Sequence, residues 1–116
     1  MDRFNQNVAY LDSSDFTSDG KLKAKSDKPV VVMVMATWCG FCKKAKPMFQ
    51  ELANKLNNKK AYFAVIQHED DPNLDKMVNS IIPNFSGFPT IVKFVNGKYI
   101  ATHNGARTVE ALEQFI

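Results

Sequence analysis

Apolar and polar positions divide the chain into segments of different period. Residues 1–29 are mostly polar, broken by the short apolar stretch Val8-Ala9-Tyr10-Leu11. Asp12-Ser13-Ser14-Asp15 and Asp19-Gly20 read as turns, and residues 21–28 as a polar, basic loop or frayed helix end in solvent. At Pro29 the pattern changes to an unbroken apolar run through Ala36, Pro29-Val30-Val31-Val32-Met33-Val34-Met35-Ala36. The run is short, rich in β-branched residues and opened by a proline, which predicts a strand covered on both faces rather than a helix. From Gly40 to Leu56 the spacing becomes helical. Ala45, Met48, Phe49, Leu52, Ala53 and Leu56 fall on one face, with Lys43, Lys44, Gln50, Glu51 and Lys55 mostly elsewhere. Pro47 lies inside this pattern and predicts a kink, because it removes a backbone donor. Asn57-Asn58 ends the segment.

Residues 61–67 form a second apolar, aromatic run and predict a strand. Asp70-Asp71-Pro72-Asn73 marks a turn into a short helix over 73–80, stopped by Pro83, and Gly87-Phe88-Pro89 is a further turn. Residues 90–95 predict a strand, Asn96-Gly97 a tight hairpin turn and 99–102 its partner. Thr108 suits the N-cap of a closing helix with Val109, Leu112, Phe115 and Ile116 turned inward. The order is β, α, β, α, β, β, α. The first two strands need a crossover and so run parallel, while the last two form an antiparallel hairpin. This is an α/β arrangement around a mixed sheet.

The chain has 116 residues, enough to bury one core but rarely two, so residues 1–116 are expected to form one domain. Hydrophobic residues make up 45% and charged residues 23%, near the globular average, which excludes a disordered tail, a collagen-like repeat or a coiled coil. Fifteen Lys and Arg against twelve Asp and Glu leave a net charge of +3. The lysines are scattered, which gives no footprint for nucleic acid. The longest apolar run is far short of the ~20 residues of a membrane helix. No apolar segment of signal-peptide type opens the chain, so a reducing, cytoplasmic location is the expectation.

Cys39 and Cys42 are the only cysteines. Two thiols cannot build the multi-bridge framework of a small secreted domain. A bridge across two intervening residues also stabilises little, because loop-closure entropy grows with loop length. The pair is therefore read as chemical rather than structural. It sits in Trp38-Cys39-Gly40-Phe41-Cys42-Lys43, where the buried strand hands over to the helix. A thiolate is the nucleophile of disulfide exchange, and the free N–H groups and dipole of a helix N-terminus favour it. Cys39 is expected at that end as attacking nucleophile, with Cys42 one turn on as resolving thiol. Lys43, Lys44 and Lys46 add weak positive potential. The competing reading is half of a zinc or iron–sulfur site, but only His68 and His103 remain as nitrogen ligands, and both are most simply surface residues. No metal or organic cofactor is required.

Together these features resemble the thioredoxin-fold thiol–disulfide oxidoreductases, a family that includes thioredoxins and the catalytic domains of protein disulfide isomerases. The resemblance is carried by W-C-x-x-C after an apolar strand, by Lys46-Pro47-x-Phe49, by Gly87-Phe88-Pro89-Thr90, by Asn96-Gly97-Lys98 and by Gly105-Ala106-Arg107. It runs from about Lys28 to the C-terminus and leaves 1–28 weakly matched. It implies a thioredoxin fold, with a central mixed sheet flanked by helices and a cis-Pro loop facing the N-terminus of the C-x-x-C helix. The Phe88–Pro89 bond would be cis, and Trp38, Gly87, Phe88, Pro89 and Gly105 would form a shallow apolar groove around Cys39, supported by Gly40 and Phe41. The residue before Pro89 would pair its backbone with an extended substrate. The implied activity is reduction of protein disulfides by a monomer, with a reductase enzyme or glutathione as electron donor. Oxidase or isomerase activity uses the same residues, and a protein-binding module with secondary redox activity is a reading of a different class.

Three departures from the family pattern stand out. Members usually carry a buried acid six residues before the first cysteine, where this chain has Met33, and the basic residue often facing it falls near Val65. Gly40-Phe41 matches neither the Gly-Pro of typical thioredoxins nor the Gly-His of typical isomerase domains. An apolar Phe41 offers no hydrogen bond to a thiolate, which favours the reducing end of the family's range. The segment between Asp71 and Phe88 is a few residues longer than in short thioredoxins. Its apolar tip, Ile81-Ile82-Pro83-Asn84-Phe85, is either core or a surface that shapes partner choice.

Overall fold

The computed structural model describes residues 3–116. The apolar run after Pro29 becomes strand β2 (Val30–Met35), central in the sheet and buried on both faces, its alternate residues entering two different core clusters. Strand β3 (Tyr62–Gln67) pairs with it in parallel and β4 (Thr90–Val95) antiparallel. Strand β5 (Lys98–Thr102) closes a hairpin with β4, and β1 (Ala9–Leu11) adds a parallel edge beside β3. The sheet order is β1-β3-β2-β4-β5, a mixed five-stranded sheet. Helix α1 (Gly40–Leu56) makes the crossover from β2 to β3. Helix α2 (Leu74–Ile81) joins β3 to β4, and α3 (Val109–Phe115) ends the chain. This is the thioredoxin fold that the motif order implies.

Successive side chains of a strand point to opposite faces. Val31, Met33 and Met35 therefore enter one buried cluster with Ala45, Phe49 and Leu52 of α1 and Leu112 of α3. Val32 and Val34 enter a second cluster with Leu74 and Val78 of α2. The closing helix behaves as its sequence predicts. The Thr108 hydroxyl accepts from the Ala111 N–H, Leu112 is buried, and Val109, Phe115 and Ile116 pack against the first cluster. Pro47 lies inside α1 at an exposed position and, lacking an N–H, cannot donate to the carbonyl four residues back, that of the exposed Lys43.

Residues 21–28 correct the sequence expectation. They are not simply a solvated loop. Leu22 is buried in the second cluster, and its N–H donates to the Gly97 carbonyl at 2.8 Å. Hydrophobic burial of one leucine is invisible to a pattern dominated by its lysine neighbours. Asn96 and Gly97 both have positive φ, 51° and 80°, as a tight hairpin turn requires. A Cβ on Gly97 would stand 2.6 Å from the Leu22 carbonyl oxygen. Gly97→Ala is therefore expected to cost about 1–3 kcal/mol, from left-handed strain and from parting the hairpin from the 16–22 segment. Urea unfolding measures this. A variant as stable as its parent would show that the contact contributes nothing.

Candidate active site

The site begins where β2 runs out. Ala36 is still buried, Thr37 and Trp38 are exposed, and Cys39 takes extended backbone as the N-cap of α1. As N-cap its side chain replaces the usual oxygen. The Cys42 N–H donates to Cys39 Sγ at 3.1 Å. A free backbone donor aimed at sulfur favours the thiolate over the thiol. Cys39 and Cys42 are joined as a disulfide with Cα atoms 5.2 Å apart. The two sulfurs are not equivalent. Cys39 is 6% exposed, whereas Cys42 is fully buried beneath the helix turn.

The Phe88–Pro89 loop faces this turn from the other side, and its peptide bond is cis. Cys39 Sγ lies 3.5 Å from the Phe88 carbonyl oxygen. A disulfide sulfur has no hydrogen to give, so that contact becomes a hydrogen bond only when the Cys39 thiol is reduced. Pro89 is buried, and the Thr90 hydroxyl donates to the Gly87 carbonyl at 2.5 Å, which ties the loop to itself. Gly87 has φ of 155°, a conformation that side chains rarely adopt.

Trp38 and Phe41 are 67% and 65% exposed and flank Cys39 in sequence. The Trp38 ring meets Phe88 edge-on at 5.5 Å. Phe88 serves two purposes, since it is half-buried and packs against both core clusters while its remaining surface faces Trp38. Gly40 is not demanded by space, because a Cβ there would meet nothing within 4 Å. Gly105 is exposed and shares with Pro89 the wall of a cavity that includes neither Cys39 nor Trp38. Of the tip before this loop, Ile82 is core and Ile81 and Phe85 are half-buried against the second cluster.

Below the cysteines the apolar replacement is complete. Met33 is fully buried, pairs in register with Val65 on β3 and Ile91 on β4, and belongs to the cluster that holds Cys39 and Cys42. No polar or charged side chain is buried among the described residues.

Two contributors escape the motif pattern. The 3₁₀ turn His68–Asp70 follows β3, and Glu69 on it accepts hydrogen bonds from the Thr37 N–H at 2.7 Å and the Thr37 hydroxyl at 2.5 Å. Thr37 immediately precedes Trp38 and Cys39, so the carboxylate anchors the redox loop. Its neighbour His68 is no bare surface residue. Its ring sits 5.2 Å from Phe88, and Nδ1 lies 3.4 Å from the Asp75 carboxylate. The available signal was topological. β2 and β3 are parallel neighbours, so residues just past their C-terminal ends must lie side by side.

Desolvation works to raise the Glu69 carboxyl, but the Thr37 hydroxyl and amide outweigh it and hold it below its ordinary value. A carboxyl lowered on folding stabilises above its ordinary range, and that contribution is lost as pH falls through the folded value. Parent protein is expected to exceed Glu69→Gln in stability at about pH 7, with the difference closing toward about pH 3. Urea titrations at the two values check this, and a difference independent of pH would count against the anchor's charge.

A family model described as Thioredoxin matches residues 7–116, reaching well into the segment whose sequence carries few motifs. The chain is 34% identical over 113 residues to a thioredoxin-like protein of Invertebrate iridescent virus 6, covering 84% of this chain and 82% of that one. It is 31% identical over 111 residues to the thioredoxin of Acidithiobacillus ferridurans, covering 94% and 93%. Among solved structures, human ERp44 superposes with a TM-score of 0.75 at 21% identity, covering 97% of this chain and 29% of that one. That likeness shows the fold alone.

Proposed function

The chain belongs to the thioredoxin family, and from that premise we propose that this thiol–disulfide oxidoreductase works as a reductase of protein disulfides. The observation that carries the division of labour is the unequal exposure of the two cysteines, with Cys39 keeping 6% of its surface open and Cys42 none. The Cys39 thiolate attacks one sulfur of the substrate disulfide. That S–S bond breaks, a Cys39–substrate disulfide forms, and the first substrate sulfur leaves as a thiolate. Cys42 then loses its proton and attacks Cys39 Sγ. The Cys39–Cys42 bond forms, the mixed disulfide breaks, and the second substrate thiolate leaves. Two electrons pass from the dithiol to the substrate. Trp38, Phe41 and Phe88 offer the apolar surface on which the substrate rests, and the backbone beside Pro89 pairs with its extended chain. A reductase enzyme or glutathione returns the electrons, and the protein acts as a monomer in a reducing, cytoplasmic compartment.

Equilibrium titration of the Cys39–Cys42 couple in glutathione buffers tests the direction. A potential near about −270 mV supports the reductase. A value at or above about −180 mV overturns it in favour of an oxidant or isomerase.

A further inference from the structure

Pro89 also lines a cavity of about 470 Å³ whose walls include none of Trp38, Cys39, Phe41 and Phe88. Its walls are the segment before the Pro89 loop and the turn that follows β5. They differ in chemistry from the surface around Trp38. Arg107 lines the cavity with Asn84, Ser86 and Asn104, and no Asp or Glu is among its lining residues. The Arg107 guanidinium makes no hydrogen bond or ion pair with any described residue. The walls themselves are held. His103 Nε2 bonds the Ala106 carbonyl at 2.7 Å, and because a carbonyl only accepts, Nε2 carries the proton. Tyr99 and Thr102 of β5, also in the lining, join hydroxyls at 2.6 Å. Among the described residues the cavity is thus a braced, hydrogen-bonding recess in which Arg107 is uncommitted.

We infer that this recess is a subsite for an acidic side chain of the polypeptide whose disulfide is reduced. The inference rests on protein disulfides being the substrates. Geometry places the recess within reach. Cys39 Sγ is 3.5 Å from the Phe88 carbonyl, and Phe88 is bonded to Pro89, which lines the recess. An extended chain advances ~3.3–3.6 Å per residue, so a side chain about one to three residues from the reacting cysteine arrives at the edge of the recess that Pro89 forms. Guanidinium and carboxylate suit each other as a charge-assisted pair, and the neutral donors of Asn84, Ser86 and Asn104 serve the remaining oxygen lone pairs. A substrate carrying an apolar residue on one side of its cysteine and an acid on the other would match both halves of the surface.

The test uses symmetric disulfide dimers of an uncharged peptide with one cysteine. Glu or Gln is placed at each of the three positions on either side, and kcat/KM is measured for each pair. The parent protein is expected to prefer Glu over Gln by about three- to tenfold at one position, a range between an exposed ion pair and a charged hydrogen bond. Arg107→Ala should lose that preference and Arg107→Glu should invert it. Taking the ratio within each variant removes any general loss of activity. A parent that reduces all peptides equally, or a Glu preference that survives Arg107→Ala, overturns the subsite. Reduction of neutral bis(2-hydroxyethyl) disulfide by the parent is measured alongside. If that and every peptide reaction are absent, the reductase assignment falls, and the subsite with it.

Discussion

Cys39→Ser is expected to bring protein-disulfide reduction down to the uncatalysed background, a loss of at least about a thousandfold, because a hydroxyl cannot replace the thiolate that forms the covalent intermediate. Cys42→Ser is expected to behave differently. Its Cys39 still attacks, and the Cys42 amide that donates to Cys39 Sγ is backbone and survives the change. Without a second thiol the mixed disulfide has no intramolecular exit, so the variant should accumulate as a covalent adduct with its substrate. Non-reducing gel electrophoresis and mass spectrometry separate the outcomes. The adduct should appear with Cys42→Ser and be absent with Cys39→Ser. Adduct formation at residue 42 in the Cys39→Ser variant would reverse the assigned roles. The burial of Cys42 argues against that, since a folded substrate cannot reach a residue with no exposed surface, held in the same core cluster as Met33 and Ala45.

What the sequence disclosed about this site follows the range of the interactions involved. The handover from β2 to α1 is local. Six buried apolar residues, a two-residue loop and a helical stripe place Cys39 at a helix start with no knowledge of the rest of the chain. The Thr108 cap and the Asn96-Gly97 turn are local in the same sense. The juxtaposition of Phe88 with Cys39, 49 positions apart, is not local, and only the ordered set of family motifs made it visible. The Glu69–Thr37 anchor had no such motif. It exists because β3 is the parallel neighbour of β2, and a run of acidic residues before Pro72 reads equally well as a plain turn. Leu22 and the β1 edge were hidden for a related reason. One apolar residue among lysines carries no period, and a three-residue strand is too short to show alternation. Their partners, Gly97 and β3, lie far along the chain.

Met33 is where the chain trades proton chemistry for packing, and Met33→Asp should expose both sides of the exchange. A thioether can neither give nor take a proton, so among the described residues no buried polar side chain helps Cys42 ionise for the resolving step. Removing a buried charge also spares a desolvation cost. Restoring a carboxyl should accelerate release of the mixed disulfide by roughly tenfold or more near neutral pH, the lower part of what a positioned base supplies. It should also destabilise the fold. In a fully buried site between Val65 and Ile91 the new carboxyl would titrate well above its unfolded value of about 3.9. A group raised on folding contributes stability below its unfolded value and loses it as pH rises, so the variant should weaken progressively from about pH 4 upward. By pH 7 the deficit relative to parent should reach about 2–4 kcal/mol. Stopped-flow measurement of mixed-disulfide decay and urea unfolding across pH read the two effects separately, with Met33→Glu as a second placement of the carboxyl. If neither folded variant releases substrate faster than the parent, the missing acid does not limit turnover. The apolar Met33–Val65 contact would then be a stabilising replacement with no kinetic consequence.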